Sequence, residues 1–138
     1  MVKRISHFGH LVNNLDETLA MYEKDFGLKP VSITTIGNET KNAMLPLGDL
    51  YVELIQPVDP NGLAAKALAA RGEGLYHICF IVDNLEKEVE AFKAKGAKIL
   101  PGLGGPSSTV FIHPRSTKGV LMELWTEESR RIFLARKS

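Results

Sequence analysis

The chain is short of several things, and each shortage excludes a class of protein. It has one cysteine, Cys79, so no internal disulfide can staple it, and a reducing compartment suits it. Its longest apolar runs have only strand length, and residues 1–4 pass straight into a strand pattern, so neither a membrane span nor a secretory leader is expected. Charge of one sign is also missing: 17 Lys and Arg against 16 Asp and Glu leave +1, too little field to hold nucleic acid or an anionic membrane. The expected location is the cytoplasm, and any anionic ligand must be held by a local cluster. With 138 residues the chain makes one domain of ordinary size.

What the chain does have is a repeat. His77 follows His7 by 70 residues, and Glu123 follows Glu53 by 70 residues. The text around each pair repeats as well: SHFGHLVNNL at 6–15 is answered by YHICFIVDNL at 76–85, and YVEL at 51–54 by LMEL at 121–124. Self-similarity at a fixed offset means that one supersecondary unit occurs twice. If a pseudo-two-fold axis relates the halves, each supplies one imidazole and one carboxylate near it, a donor set suited to a divalent transition metal.

Residues 3–12 alternate around His7 as a strand, which puts Ile5, His7, Gly9 and Leu11 on one face. Leu15, Leu19, Tyr22 and Phe26 then mark the buried stripe of a helix closed by Gly27. Strands are expected at 29–35, 42–47 and 50–56, parted by the turn dipeptides Gly37-Asn38 and Gly48-Asp49. The second half restarts with a strand at 75–82, a helix with Leu85, Val89 and Phe92 inward and Gly96 at its end, and strands at 98–100, 109–113 and 120–125. The expected class is α+β, with two tandem β-α-β-β-β modules whose helical stripes pack on the convex side of the sheet. Module one spans about 1–58, a linker with a short helix 59–74, module two about 75–126, and a tail with a short surface helix 127–138. The Gly/Pro/Ser run at 101–108 reads as a mobile loop.

Glu53 and Glu123 stand between apolar neighbours on their strands, where a carboxylate is costly to bury unless it is paired or binds a metal. A lone buried histidine is commonly an ordinary hydrogen-bonded core residue. Four such groups at one repeat offset point to a metal site rather than to four separate core residues. His10 lies on the opposite strand face from His7 and belongs beneath the helix rather than at that site. Cys79, Tyr51 and Trp125 share the site face, as pocket wall or as core.

Four strings, ISHFG at 5–9, VELIQP at 52–57, GEGLYHI at 72–78 and FIHPRSTKGVLMEL at 111–124, resemble the vicinal oxygen chelate superfamily and, within it, the methylmalonyl-CoA epimerases. The resemblance covers nearly the whole chain. It implies a cup-shaped mixed sheet and a homodimer. It implies that His7, Glu53, His77 and Glu123 hold a divalent metal ion: cobalt, zinc, nickel or manganese. It further implies an isomerase that inverts the acidic α-carbon of a methyl-branched acyl-CoA substrate through a metal-stabilised enediolate, with Glu123 as catalytic proton-transfer residue.

The resemblance also implies a second acid/base on the strand before Glu53. Asn42 occupies that position, and its amide cannot take a proton at neutral pH, so Glu39 or a water is expected to serve the opposite face. In the 101–108 loop the epimerases have a Gly-Ala-His-Gly-like stretch, while this chain has GLGGP at 102–106. The turn after His113 carries Arg115, Ser116 and Lys118, the ingredients of an anion site for substrate. Two other activities share the fold: lactoylglutathione lyase (glyoxalase I), whose metal set this chain also matches, and non-catalytic ligand sequestration of the bleomycin-resistance type. The intact quartet counts against the latter.

Overall fold

A computed structural model describes residues 1–102 and 109–136. The first module runs β1 (Val2–Leu11), α1 (Leu15–Phe26), β2 (Ser32–Ile36), β3 (Thr40–Leu47) and β4 (Leu50–Pro57). A helix, α2 (Leu63–Arg71), leads to β5 (Gly74–Val82), α3 (Leu85–Ala94), β6 (Ile99–Pro101), β7 (Thr109–Ile112) and β8 (Leu121–Trp125). A 3-10 turn, Pro114–Ser116, separates β7 from β8, and α4 (Glu127–Ala135) follows. The eight strands form one curled mixed sheet in the order β2-β3-β4-β1-β5-β8-β7-β6. Each module ends with a strand parallel to its first, β4 beside β1 and β8 beside β5, and the modules join where β1 and β5 run antiparallel. The repeat read from the sequence is thus a repeat in space, with its axis between β1 and β5.

The same capping chemistry starts both module helices. Asn14 accepts from the Glu17 N–H at 3.0 Å, and Asn84 from the Lys87 N–H at 3.0 Å. Gly27, at φ 69°, supplies the left-handed residue that ends α1. On the convex face Leu15, Leu19 and Tyr22 pack on Ala43, Leu45 and Leu54, while Val89 and Phe92 join Leu85 over Val110, Ile112 and Leu124. Phe26, at the last position of the expected stripe, is two-thirds exposed because α1 ends there.

The other two helices lie on the concave face. Ala64, Ala67 and Leu68 of α2 pack with Leu11, Ile55 and Tyr76. Phe133 of α4 is buried against Trp125, ring centroids 5.0 Å apart, in a cluster with Ile36, Met44, Cys79 and Ile81. The tail helix is therefore more than a surface element. It is tied down by Arg4, which donates to both Glu127 carboxylate oxygens at 2.8 and 2.9 Å, and by Arg130 stacked over Tyr51.

Of three register shifts in the β1–β5 ladder, at Val2/Arg4, Ile5/His7 and Gly9/His10, the last two set what the concave face displays. Between Ile5 and His7 the β1–β5 ladder leaves Ser6 as an extra residue, and between Gly9 and His10 it leaves Tyr76 as an extra residue on β5. The two bulged residues immediately precede His7 and His77, so the irregularity itself is repeated. The first bulge takes Ile5 off the face it was expected to share with His7, setting it opposite Phe80 of the α3 cluster.

Candidate metal centre

His7 and Gly9 on β1, His77 on β5, Glu53 on β4 and Glu123 on β8 meet where the four central strands adjoin. The Nε2 atoms of His7 and His77 are 2.9 Å apart. One oxygen of Glu123, Oε1, lies 3.2 Å from both, and Oε1 of Glu53 lies 3.5 Å from both. His7, His77, Glu53 and Glu123 are 0, 3, 4 and 5 % exposed. Donor atoms sharing an ion at ~2.0–2.2 Å stand about 3.0–3.4 Å from one another. The separations among His7, His77 and Glu123 fit that spacing, and these three form a group that could hold a metal ion, with Glu53 set wider beside them. Two imidazoles and the Glu123 carboxylate, buried and converged with no cationic side chain paired to them among the described residues, suit a divalent cation.

Each carboxylate is held from behind by the same device. Asn42 Nδ2 donates to Glu53 Oε2 at 3.3 Å, and Thr40 Oγ1 in turn donates to Asn42 Oδ1 at 2.7 Å. Thr109 Oγ1 donates to Glu123 Oε2 at 2.8 Å. Asn42 stands two residues before Met44, the cross-strand partner of Glu53, and Thr109 two before Phe111, the partner of Glu123. The two supports are thus equivalent by the pseudo-two-fold. Both leave Oε1 turned to the imidazoles.

The histidines are placed more by space than by hydrogen bonds. His7 Nδ1 is 3.3 Å from Ser6 Oγ, while His77 Nδ1 is buried without a partner among the described residues. Opposite His77 on β1 is Gly9, where a Cβ would come within 2.2 Å of Nδ1. Only a residue without that carbon leaves the ring its place.

Electrostatics separate the two carboxylates. Burial raises the Glu53 carboxyl above 4.5, and the imidazoles only partly offset it. At Glu123 burial acts in the same sense, but the closer hydrogen bonds and charges of both histidines outweigh it and hold the group far below the usual range. His77 is pulled down by burial and raised further by Glu123 and Glu53, ending above 6.5.

These groups form the floor of a cavity of about 390 Å³ on the concave face, whose walls are largely apolar. Asn42, Glu39, Tyr76 and His113 also line it. Asn42 therefore stands at the cavity wall, where the second acid/base is expected, yet its amide is committed to Thr40 and Glu53. Glu39 is half-buried at the wall. His10 packs beneath α1 with Nδ1 2.8 Å from the Tyr22 hydroxyl, away from the centre. Arg115, Ser116 and Lys118 lie exposed on the turn after β7 and do not line the cavity; Ser116 Oγ accepts from the Lys98 N–H at 3.0 Å. Most of the glycine-rich loop, residues 103–108, lies outside the described residues.

Sequence reading missed Thr109 as the support of Glu123 and Tyr76 as a cavity residue. The first could be inferred by asking which residue on β7 matches Asn42. The second required the bulge.

Comparison with known proteins gives this geometry a context. The family model described as Glyoxalase/Bleomycin resistance protein/Dioxygenase superfamily matches residues 6–109. The chain is 29 % identical to an uncharacterised protein of Bacillus subtilis, YqjC, over 89 % of its length and 91 % of that protein. It is 28 % identical to the mitochondrial methylmalonyl-CoA epimerase of Dictyostelium discoideum, over 89 % of this chain and 78 % of that one. A substituted methylmalonyl-CoA epimerase of Streptomyces coelicolor, in complex with 2-nitronate-propionyl-CoA, superposes with a TM-score of 0.80 at 29 % identity, over 91 % of this chain and 95 % of that one. Relatives of this kind are isomerases, and the likeness supports an epimerase reading.

Proposed function

The chain belongs to the glyoxalase/bleomycin resistance protein/dioxygenase superfamily, and from that premise we propose that it inverts the acidic α-carbon of a methyl-branched acyl-CoA, methylmalonyl-CoA foremost. The observation that carries this reading is the convergence of His7, His77, Glu53 and Glu123, the last three of which line the floor of an apolar cavity. In the proposal these four hold one divalent cation, of the cobalt, zinc, nickel or manganese kind. When bound, that cation supplies a Lewis acid that acidifies the carbon between a thioester and a carboxylate.

The chain's own residues then divide the work. Thr109 fixes the plane of the Glu123 carboxylate with Oε1 turned to the imidazoles, and Glu123 is the group that takes the α-proton, as the resemblance implies. Inversion needs a donor on the other side of the carbon. Asn42 is excluded by its amide, leaving Glu39, or a water beside it, to return a proton there. Apolar walls keep bulk water from the carbanionic centre.

One observation favours a second reading, lactoylglutathione lyase. Glu53 is a carboxylate placed equivalently to Glu123, and paired ligand glutamates suit proton movement on a hemithioacetal. The test is a side-by-side assay: epimerisation of a single methylmalonyl-CoA stereoisomer against turnover of a glutathione hemithioacetal, both with metal-loaded protein. Epimerisation alone supports the first reading, and hemithioacetal turnover alone replaces it with the second. The homodimer implied by the resemblance belongs to this proposal, and sedimentation of a stable monomer at micromolar concentration would remove it.

A further inference from the structure

The cavity runs from a buried floor to an exposed rim, and its charged groups are sorted along that direction. Glu53, His77 and Glu123 lie buried at the floor. The rim is made by the two helices on the concave face. From α2 come Leu63 and Arg71, from α4 come Ile132 and the capping residue Arg136, and all four are exposed while lining the cavity. Neither arginine forms an ion pair among the described residues. Arg136 rests over the Phe133 ring, 5.8 Å from its centroid. Two cations without ion-pair partners among the described residues, one from each helix, therefore line one opening, and Leu63 and Ile132 give the same rim an apolar stretch.

We propose that Arg71 and Arg136 form a subsite for the phosphate groups of a CoA thioester, with Leu63 and Ile132 flanking its uncharged pantetheine arm. This rests on the acyl-CoA reading above. A guanidinium keeps its charge at any working pH, and its planar fork matches phosphate oxygens, so an arginine from each rim helix can hold the phosphates of a polyanion entering the cavity. The two glutamates disfavour phosphates at the floor, which orients the ligand with its acyl end inward. The turn with Arg115 and Lys118 holds comparable charge but lies outside the cavity lining.

The test is calorimetric titration of CoA, and separately of pantetheine, into the wild-type protein, an Arg71→Gln/Arg136→Gln double variant and an Arg71→Lys/Arg136→Lys variant. The glutamine pair is expected to weaken CoA binding by about tenfold or more while leaving pantetheine binding unchanged. The lysine pair should retain intermediate affinity, and added salt should narrow the gap to wild type. CoA bound equally well by the glutamine pair would overturn the subsite. So would equal loss of CoA and pantetheine, or the same selective loss in an Arg115→Gln/Lys118→Gln variant. Wild-type protein with no affinity for CoA would remove the acyl-CoA reading and the subsite together, whereas wild-type binding with unaffected variants removes the subsite alone.

Discussion

At the scale of the residue, the centre is a pair of histidine–glutamate couples whose supporting contacts obey the same symmetry as the donors. Asn42 and Thr109 each turn one glutamate by holding its far oxygen. Substitution at either place should therefore act alike. Asn42→Leu and Thr109→Val are each expected to lower metal affinity by about tenfold or more, the usual cost of losing an outer hydrogen bond to a ligand. Competition with a chromophoric chelator measures this, and a loss confined to one variant would break the equivalence. A second expectation follows from His77, whose proton is favoured by Glu123 and Glu53 against the cost of burial. Because its folded pKa is raised above 6.5, the protonated ring contributes stability to the metal-free protein below that pH, and the contribution fades as pH rises through the raised value. Coordination requires the neutral ring, so metal binding should release protons and weaken as pH falls through the same range. Calorimetry in buffers of different ionisation enthalpy reads the release directly; a heat that does not depend on buffer would contradict it.

At the scale of the element, α2 and α4 convert an open sheet into a walled cavity, and α4 does so by a single aromatic anchor. Phe133→Ala removes most of its packing on Trp125, and chemical denaturation should show a loss of about 3 kcal/mol. A loss below about 1 kcal/mol would mean that α4 is held by Arg4–Glu127 and the Arg130 stack instead. This level also separates what the sequence revealed from what it withheld. Gly27, Gly96 and the apolar stripes announce α1 and α3, because helix termination and periodicity are local. The destination of α4 is not local: Ile132, Phe133 and Leu134 are an apolar patch in sequence, and only the path of β8 decides which face they meet. The bulges at Ser6 and Tyr76 were likewise hidden, since a strand's alternation gives no sign of an inserted residue until its partner's register is known. For that reason Ile5 was assigned to the wrong face and Tyr76 was overlooked.

At the scale of the whole molecule, the fold is a duplication that becomes useful only at its seam. Neither module alone has more than one imidazole and one carboxylate of the centre, and each ligand pair is completed across the β1–β5 and flanking parallel ladders. The spacing of 70 residues was legible because both halves kept the donors, whereas the cavity above them was not, because part of its wall comes from α2 in the linker and α4 in the tail, outside the repeat. The central claim is that this seam holds a metal and moves a proton at an acidic α-carbon through Glu123. It is tested most directly by following deuterium incorporation at the α-carbon of methylmalonyl-CoA in deuterated water, by proton NMR, with metal-loaded wild-type protein and with Glu123→Gln. The account predicts exchange by the wild type and none above background by the variant, which should still bind metal weakly. Metal-loaded wild-type protein that leaves the α-proton in place, or a Glu123→Gln protein that exchanges it at the wild-type rate, would contradict the account.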